Sequence, residues 1–157
     1  MQQTISMSLE EDIRQPAFRN EHQKGIINMI YTCNWIMERQ KKLFNGEKIT
    51  PQQFNILRIL RGAYPKPIST MQIRERMLDK MSDTSRIVDR LTIKGLVNKK
   101  TCLTDKRLVD IAITSKGMAM LERLDRRNEE MDALLHALSQ TEVKTLNQLL
   151  DKIRKPD

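Results

Sequence analysis

The sequence predicts a mainly α-helical fold carrying one small β-hairpin. Three observations predict it. Apolar residues recur at steps of three, four and seven along most of the chain, the spacing of a helix face. Ser8, Asn20, Thr50, Ser69 and Ser139 are each followed three residues later by Glu or Gln, the pattern that opens a helix. Between residues 96 and 114 the helical spacing gives way to apolar–polar alternation.

The elements follow in order. Ser8-Leu-Glu-Glu11 opens a short helix that Pro16 ends. Asn20 and Gln23 open a longer one with Ile26, Ile30, Cys33, Met37 and Phe44 in register, closed by Gly46. Thr50-Pro51-Gln52-Gln53 combines an N-cap, a first-turn proline and a reciprocal glutamine, and Phe54, Leu57 and Leu60 share the following face. Tyr64-Pro65-Lys66-Pro67 is a connector. Ser69 starts a helix predicted to run to Leu78, with Ile68 and Ile73 as its hydrophobic staple. Ser82 is predicted to cap the next helix, whose inner face is Ile87, Val88 and Leu91 and whose stop is Gly95. Two strands, 96–101 and 108–114, then flank a polar tip at Cys102-Leu-Thr-Asp-Lys-Arg107. Thr114 or Ser115 opens a long helix with Met118, Leu121, Leu124, Met131, Leu135 and Leu138 inward. Ser139 caps the last helix, which uses Leu146, Leu149, Leu150 and Ile153.

Composition bounds the function. The chain has 157 residues, about one domain by length, with 39% hydrophobic and 31% charged residues, which suits a folded core and not a disordered chain. The first residues are polar and acidic, unlike a signal peptide, and no apolar run reaches the ~20 residues of a membrane span. Two cysteines are too few for a disulfide framework, so a cytoplasmic location is expected. The net charge is +8, from 28 basic and 20 acidic side chains. It is not evenly spread: residues 66–107 hold 11 basic and 5 acidic side chains, a local +6. That segment is the place to look for an anionic partner.

Helix, turn, helix and basic hairpin between 69 and 114 are the layout of a winged helix-turn-helix, whose second helix enters the major groove of DNA. The face opposite the apolar one carries Ser82, Asp83, Thr84, Ser85, Arg86, Asp89 and Arg90. Hydroxyls and a helix N-terminus suit phosphate oxygens, and the arginines suit guanine edges or phosphates. Asp83 has two readings, acceptor from a cytosine amine or partner of the helix dipole. At the hairpin, Lys99, Lys100, Lys106 and Arg107 are placed for the DNA backbone or the minor groove.

These residues resemble the multiple-antibiotic-resistance regulator (MarR) family of bacterial transcription factors. The similarity spans residues 49–121 and is carried by Ile49-Thr50-Pro51-Gln52-Gln53-Phe54, by the segment from Ser82 to Val97, by Asp105-Lys106-Arg107 and by Ile113-Thr114-Ser115-Lys116-Gly117. The resemblance implies a homodimer held by helices at 8–46 and 115–155, a DNA-binding region at 50–114, and a pseudo-palindromic operator. It also implies repression relieved by a small ligand or an oxidant, a minor-groove role for Arg107 and an aspartate, Asp105, that pairs with it. Two departures stand out. The stretch from Arg76 to Ser82 is about two residues longer than usual and lacks glycine, and Arg74 replaces a small residue.

The other singled-out residues read plainly. Cys33, on the apolar face, is expected to be packed, and Cys102 sits at the hairpin tip. His22 and His136 lack a second ligand at helical spacing, so no metal site is expected. No cofactor or enzyme motif stands in the chain. Met29, Met37 or Met118 would suit a pocket for a small apolar or aromatic effector. The leading expectation is a dimeric repressor of double-stranded DNA with no membrane role. The alternatives are a winged-helix protein–protein adaptor and a version of the regulator switched by cysteine oxidation.

Overall fold

Helix starts fall where local side chains replace missing backbone partners. In a computed structural model describing residues 8–101 and 109–155, the helices are α1 Leu9–Asp12, α2 Glu21–Phe44, α3 Pro51–Ala63, α4 Thr70–Arg76, α5 Thr84–Ile93, α6 Ser115–Asp125, α7 Asn128–Asp132 and α8 Gln140–Ile153. Short 3-10 turns occupy Asn45–Glu47 and Ala133–Leu135. The hydroxyls of Thr50, Ser69 and Ser139 accept the third N–H of α3, α4 and α8, and Gln53, Gln72 and Glu142 return the bond to the capping backbone. Each such cap stabilises its helix by about 1 kcal/mol.

The chain divides into two compact units, Met1–Leu43 and Phe44–Asp157. In the first, the Ser8 N–H donates to Glu11 Oε2 at 2.9 Å and the Gln23 N–H to Asn20 Oδ1 at 2.9 Å, fixing the starts of α1 and α2. Lys24 joins the two helices through Glu10 at 2.6 Å. The apolar stripe of α2 is exposed, with Ile26 at 56% and Ile30 at 59%. Cys33, expected to be packed, is exposed as well, because the stripe it belongs to faces outward.

The second unit holds the described core. Ile56, Leu57 and Leu60 of α3 are buried together with Ile73, Val88, Leu91, Leu96, Ile111 and Leu121. Each fully buried Leu or Ile side chain is worth roughly 1.5–3 kcal/mol of transfer free energy. Phe44 stacks on Phe54 with ring centroids 4.6 Å apart. Strands β1 Val97–Thr101 and β2 Val109–Ile113 pair antiparallel, from Val97 opposite Ile113 to Thr101 opposite Val109. Ile68 extends this hairpin: its N–H and C=O exchange hydrogen bonds with Ile111 at 3.0 and 2.9 Å. The sequence marked Ile68 only as a staple.

Gly95 ends α5 in the left-handed region at φ 70°, letting its N–H reach Thr92 O and the Leu96 N–H reach Leu91 O. Gly117 starts α6 against the Leu96 carbonyl and the Ile113 side chain, where a β-carbon would clash. Thr114 caps α6, accepting from the Gly117 N–H at 3.1 Å while donating to Gly95 O at 2.8 Å.

Three sequence expectations need correction. The helix predicted after 114 stops at Asp125 and resumes as separate pieces, and Leu135 and Leu138, expected inward, are exposed. No apolar residue lies between Leu124 and Met131, so nothing holds one face to the core across that span. Helix α4 ends at Arg76, not Leu78, because Met77 turns extended and buries its side chain. Finally Asp83, not Ser82, caps α5, its carboxylate accepting from the Arg86 N–H at 3.1 Å.

Candidate DNA-binding surface

Helix α5 is held from behind and free in front. Val88 and Leu91 are fully buried and Thr84 is 4% exposed, whereas Ser85, Arg86, Asp89 and Arg90 face outward. Thr84 was expected on the outer face; at the first helical position it instead turns under α5. Its Oγ1 is buried and has no hydrogen-bond partner. A buried hydroxyl left in this way costs ~1–3 kcal/mol.

The turn before α5 spans residues 77–83 and is organised by one carboxylate. Asp79 accepts from the Ser82 hydroxyl at 2.7 Å and from the Met81 N–H at 3.0 Å. Those bonds, the Ser82 hydroxyl first, hold its carboxyl below the usual value. Ser82 is therefore half-buried and committed to Asp79, and is not available as the helix cap. Leu78 and Met81 project into solvent, 88% and 93% exposed, while the Leu78 N–H donates to Asn55 Oδ1 at 2.9 Å.

Several of the basic residues are engaged within the fold. Lys94 Nζ donates to the Lys48 carbonyl and to Gln53 Oε1, and Lys116 Nζ donates to the Lys94 carbonyl at 2.8 Å. Lys99 of β1 pairs with Asp89 of α5 at 2.7 Å, so these two candidate residues are brought together and are spent on each other. By contrast Arg74, Arg86, Arg90 and Lys100 form no ion pair with a described residue. These four cations lie on α4, α5 and β1, unpaired among the described residues. Arg74 was not among the sequence candidates for DNA contact. Asp105, Lys106 and Arg107, together with Cys102, lie outside the described residues.

Behind this surface two charged clamps fix the frame. Arg61 of α3 grips Asp125 of α6 at 2.6 Å. Arg123 of α6 binds both carboxylate oxygens of Glu47, at 2.8 and 3.0 Å. The Arg123 hydrogen bond holds the Glu47 carboxyl below its ordinary value and raises Arg123 in turn. Among the described residues no group of three or more His, Cys, Asp or Glu side chains is placed to hold a metal. Open clefts indent the described surface of this unit. One, of about 490 Å³, lies between α4 and the start of α5; another, of about 450 Å³, lies beside Tyr64, Met118 and Glu122.

Two helices joined by a turn, then a hairpin packed beside the second helix, define a winged helix-turn-helix protein. The MarR family profile matches residues 49–109. The chain is 31% identical over 117 residues to the HTH-type transcriptional regulator PecS of Dickeya dadantii, covering 73% of this chain and 70% of that one. It also superimposes on the crystal structure of a MarR transcription factor from Planctomyces limnophilus, with TM-score 0.66 and 26% identity, covering 86% of this chain and 98% of the other. A cysteine-to-serine variant of E. coli MarR complexed with operator DNA shares the fold at TM-score 0.72 and 24% identity, covering 95% of this chain and all of the other. The chain belongs to the MarR family, whose members are transcription regulators and not enzymes.

Proposed function

We propose that this chain is a transcriptional repressor that binds a pseudo-palindromic operator in double-stranded DNA as a homodimer and is released by a small apolar or aromatic effector. The observation that carries the reading is the set of cations with no ion pair among the described residues, Arg86 and Arg90 on the outer face of α5 and Lys100 on β1, on a helix whose inner face at Thr84, Val88 and Leu91 is buried. In the shared fold the second helix is the one that enters the major groove, and one neighbour of this fold is held on operator DNA. Ser85, Arg86 and Arg90 then meet bases and phosphates, with Lys100 along the backbone, while Lys99 stays paired with Asp89. Asp83 serves as the helix cap. By family resemblance Arg107, flanked by Lys106 and paired with Asp105, reads the minor groove.

The dimer reading is supported by apolar side chains left in solvent on the two terminal regions, 8–46 and 115–155. Ile26 and Ile30 on α2, and Leu149 and Ile153 on α8, are all more than half exposed. The dimer predicts a solution mass of twice 18.4 kDa by light scattering. The cleft beside Tyr64 and Met118 is the space we assign to an apolar effector, since it contains Met118, one of the methionines the sequence offers for such a pocket. No helix among the described residues is long and apolar enough to cross a membrane, and a cytoplasmic site of action suits a DNA-binding role. The experiment is a gel shift with the DNA upstream of the gene, comparing wild type with the double variant Arg86→Ala, Arg90→Ala. Loss of the shifted band with an unchanged circular dichroism spectrum is the expected result. An unchanged band removes Arg86 and Arg90 from recognition, whereas wild type that shifts every duplex only weakly and without regard to sequence favours the adaptor reading.

A further inference from the structure

We infer that the cleft between α4 and the start of α5 seats one phosphate of the DNA backbone, held by Thr84 and Arg74. The inference rests on the DNA-binding reading above and names a contact within it. The cleft is lined by Thr70, Met71, Arg74, Met81, Ser82, Asp83, Thr84 and Ser85; the argument needs four of these.

Thr84 is the first. It is 4% exposed and its Oγ1 has no partner, although the residue lines the cleft. For the fold alone a valine would serve better, since it has the same shape and no hydroxyl to desolvate. Threonine in a helix divides between two χ1 rotamers, so the hydroxyl of this cleft-lining residue is not locked where it lacks a partner. The second observation is the backbone. Thr84 and Ser85 open a ten-residue helix, and their N–H groups have no acceptor among the described residues: the Asp83 carboxylate takes the Arg86 N–H and the Asp83 carbonyl takes the Ile87 N–H. Free amides at the positive end of a helix are a phosphate-binding arrangement. The third is Arg74, which lines the same cleft from α4, is exposed, and makes no ion pair with a described residue. The Asp83 carboxylate also borders the cleft and opposes an anion there; the Arg74 guanidinium supplies the compensating charge. A phosphodiester, with one charge and two non-bridging oxygens, matches this donor set.

The test is fluorescence anisotropy of the full chain on a labelled duplex between about 50 and 200 mM salt, comparing wild type with Thr84→Val, Thr84→Ser and Arg74→Ala. Thr84→Val is expected to bind about tenfold more weakly while melting no lower than wild type, and Thr84→Ser, which keeps the hydroxyl, to bind nearly as wild type. Arg74→Ala is expected to lower the salt exponent by about one per protomer. Thr84→Val that melts higher and binds as tightly as wild type makes the hydroxyl a bare orphan of the core and overturns the proposal. So does an unchanged salt exponent in Arg74→Ala. Wild type that fails to bind any duplex overturns the DNA-binding reading itself, a result distinct from these.

Discussion

The ion pair between Asp89 on α5 and Lys99 on β1 gives the most discriminating substitution on this surface. Its N–O distance is 2.7 Å, with 55% of the aspartate and 31% of the lysine side chain exposed. A pair of that exposure stabilises a fold by about 0.2–1 kcal/mol. Asp89→Asn is therefore expected to lower the melting temperature by a few degrees at most, at ~2–4 °C per kcal/mol for a protein of this size. Its effect on DNA runs the other way. The change removes a negative charge beside Arg86 and Arg90 and frees Lys99 for a phosphate. One added phosphate contact steepens the plot of log affinity against log salt by about 0.9. Across a fourfold change in salt that is a factor of about 3.5 for each protomer. Anisotropy on an arbitrary duplex at two salt concentrations measures it. Tighter, more salt-sensitive binding to all sequences is the expected result. Weaker binding confined to particular sequences would mean that Asp89 itself accepts from a base edge, and would refute the assignment of Asp89 to Lys99.

Two further predictions concern the frame. Leu91→Ala empties a fully buried position behind the outer face of α5 and is expected to cost about 2–5 kcal/mol in chemical denaturation, with DNA affinity falling in step. Glu47 is held low by Arg123, so its contribution is present above the ordinary glutamate value of about 4.3 and is lost as pH falls through its depressed value. The melting temperature of wild type is accordingly expected to fall on acidification below about pH 4.3, and Arg123→Gln to show a shallower fall over the same range.

Much of the fold was legible in the sequence because helix starts are local events. A hydroxyl and a glutamine three residues apart can satisfy each other without knowing the rest of the chain, and Thr50, Ser69 and Ser139 do so. The alternation of Val109, Ile111 and Ile113 placed β2 for the same reason. The errors arose where groups outside the helix itself compete. Ser82 and Asp83 are both capping residues, and the choice between them was made by Asp79, which takes the Ser82 hydroxyl. Periodicity did not reveal that Ile68 would pair with Ile111 across forty-three positions of chain, nor that Lys94 would turn back to Lys48 and Gln53. In the candidate site the sequence named Arg86, Arg90 and Lys100, which stand free of described partners. It did not name Arg74, which the structure leaves without an ion pair among the described residues, and it assigned Thr84 to the outer face when the first turn of α5 buries it.

The central claim is that the winged helix presents a net positive charge to DNA in a sequence-reading arrangement. A single titration tests it most directly: the affinity of the full chain for the duplex upstream of its own gene against a scrambled duplex of equal length, across a salt series. The account predicts a clear preference for the upstream sequence, two protomers bound per site, and log affinity falling linearly with log salt. Weak binding that ignores both sequence and salt would contradict it.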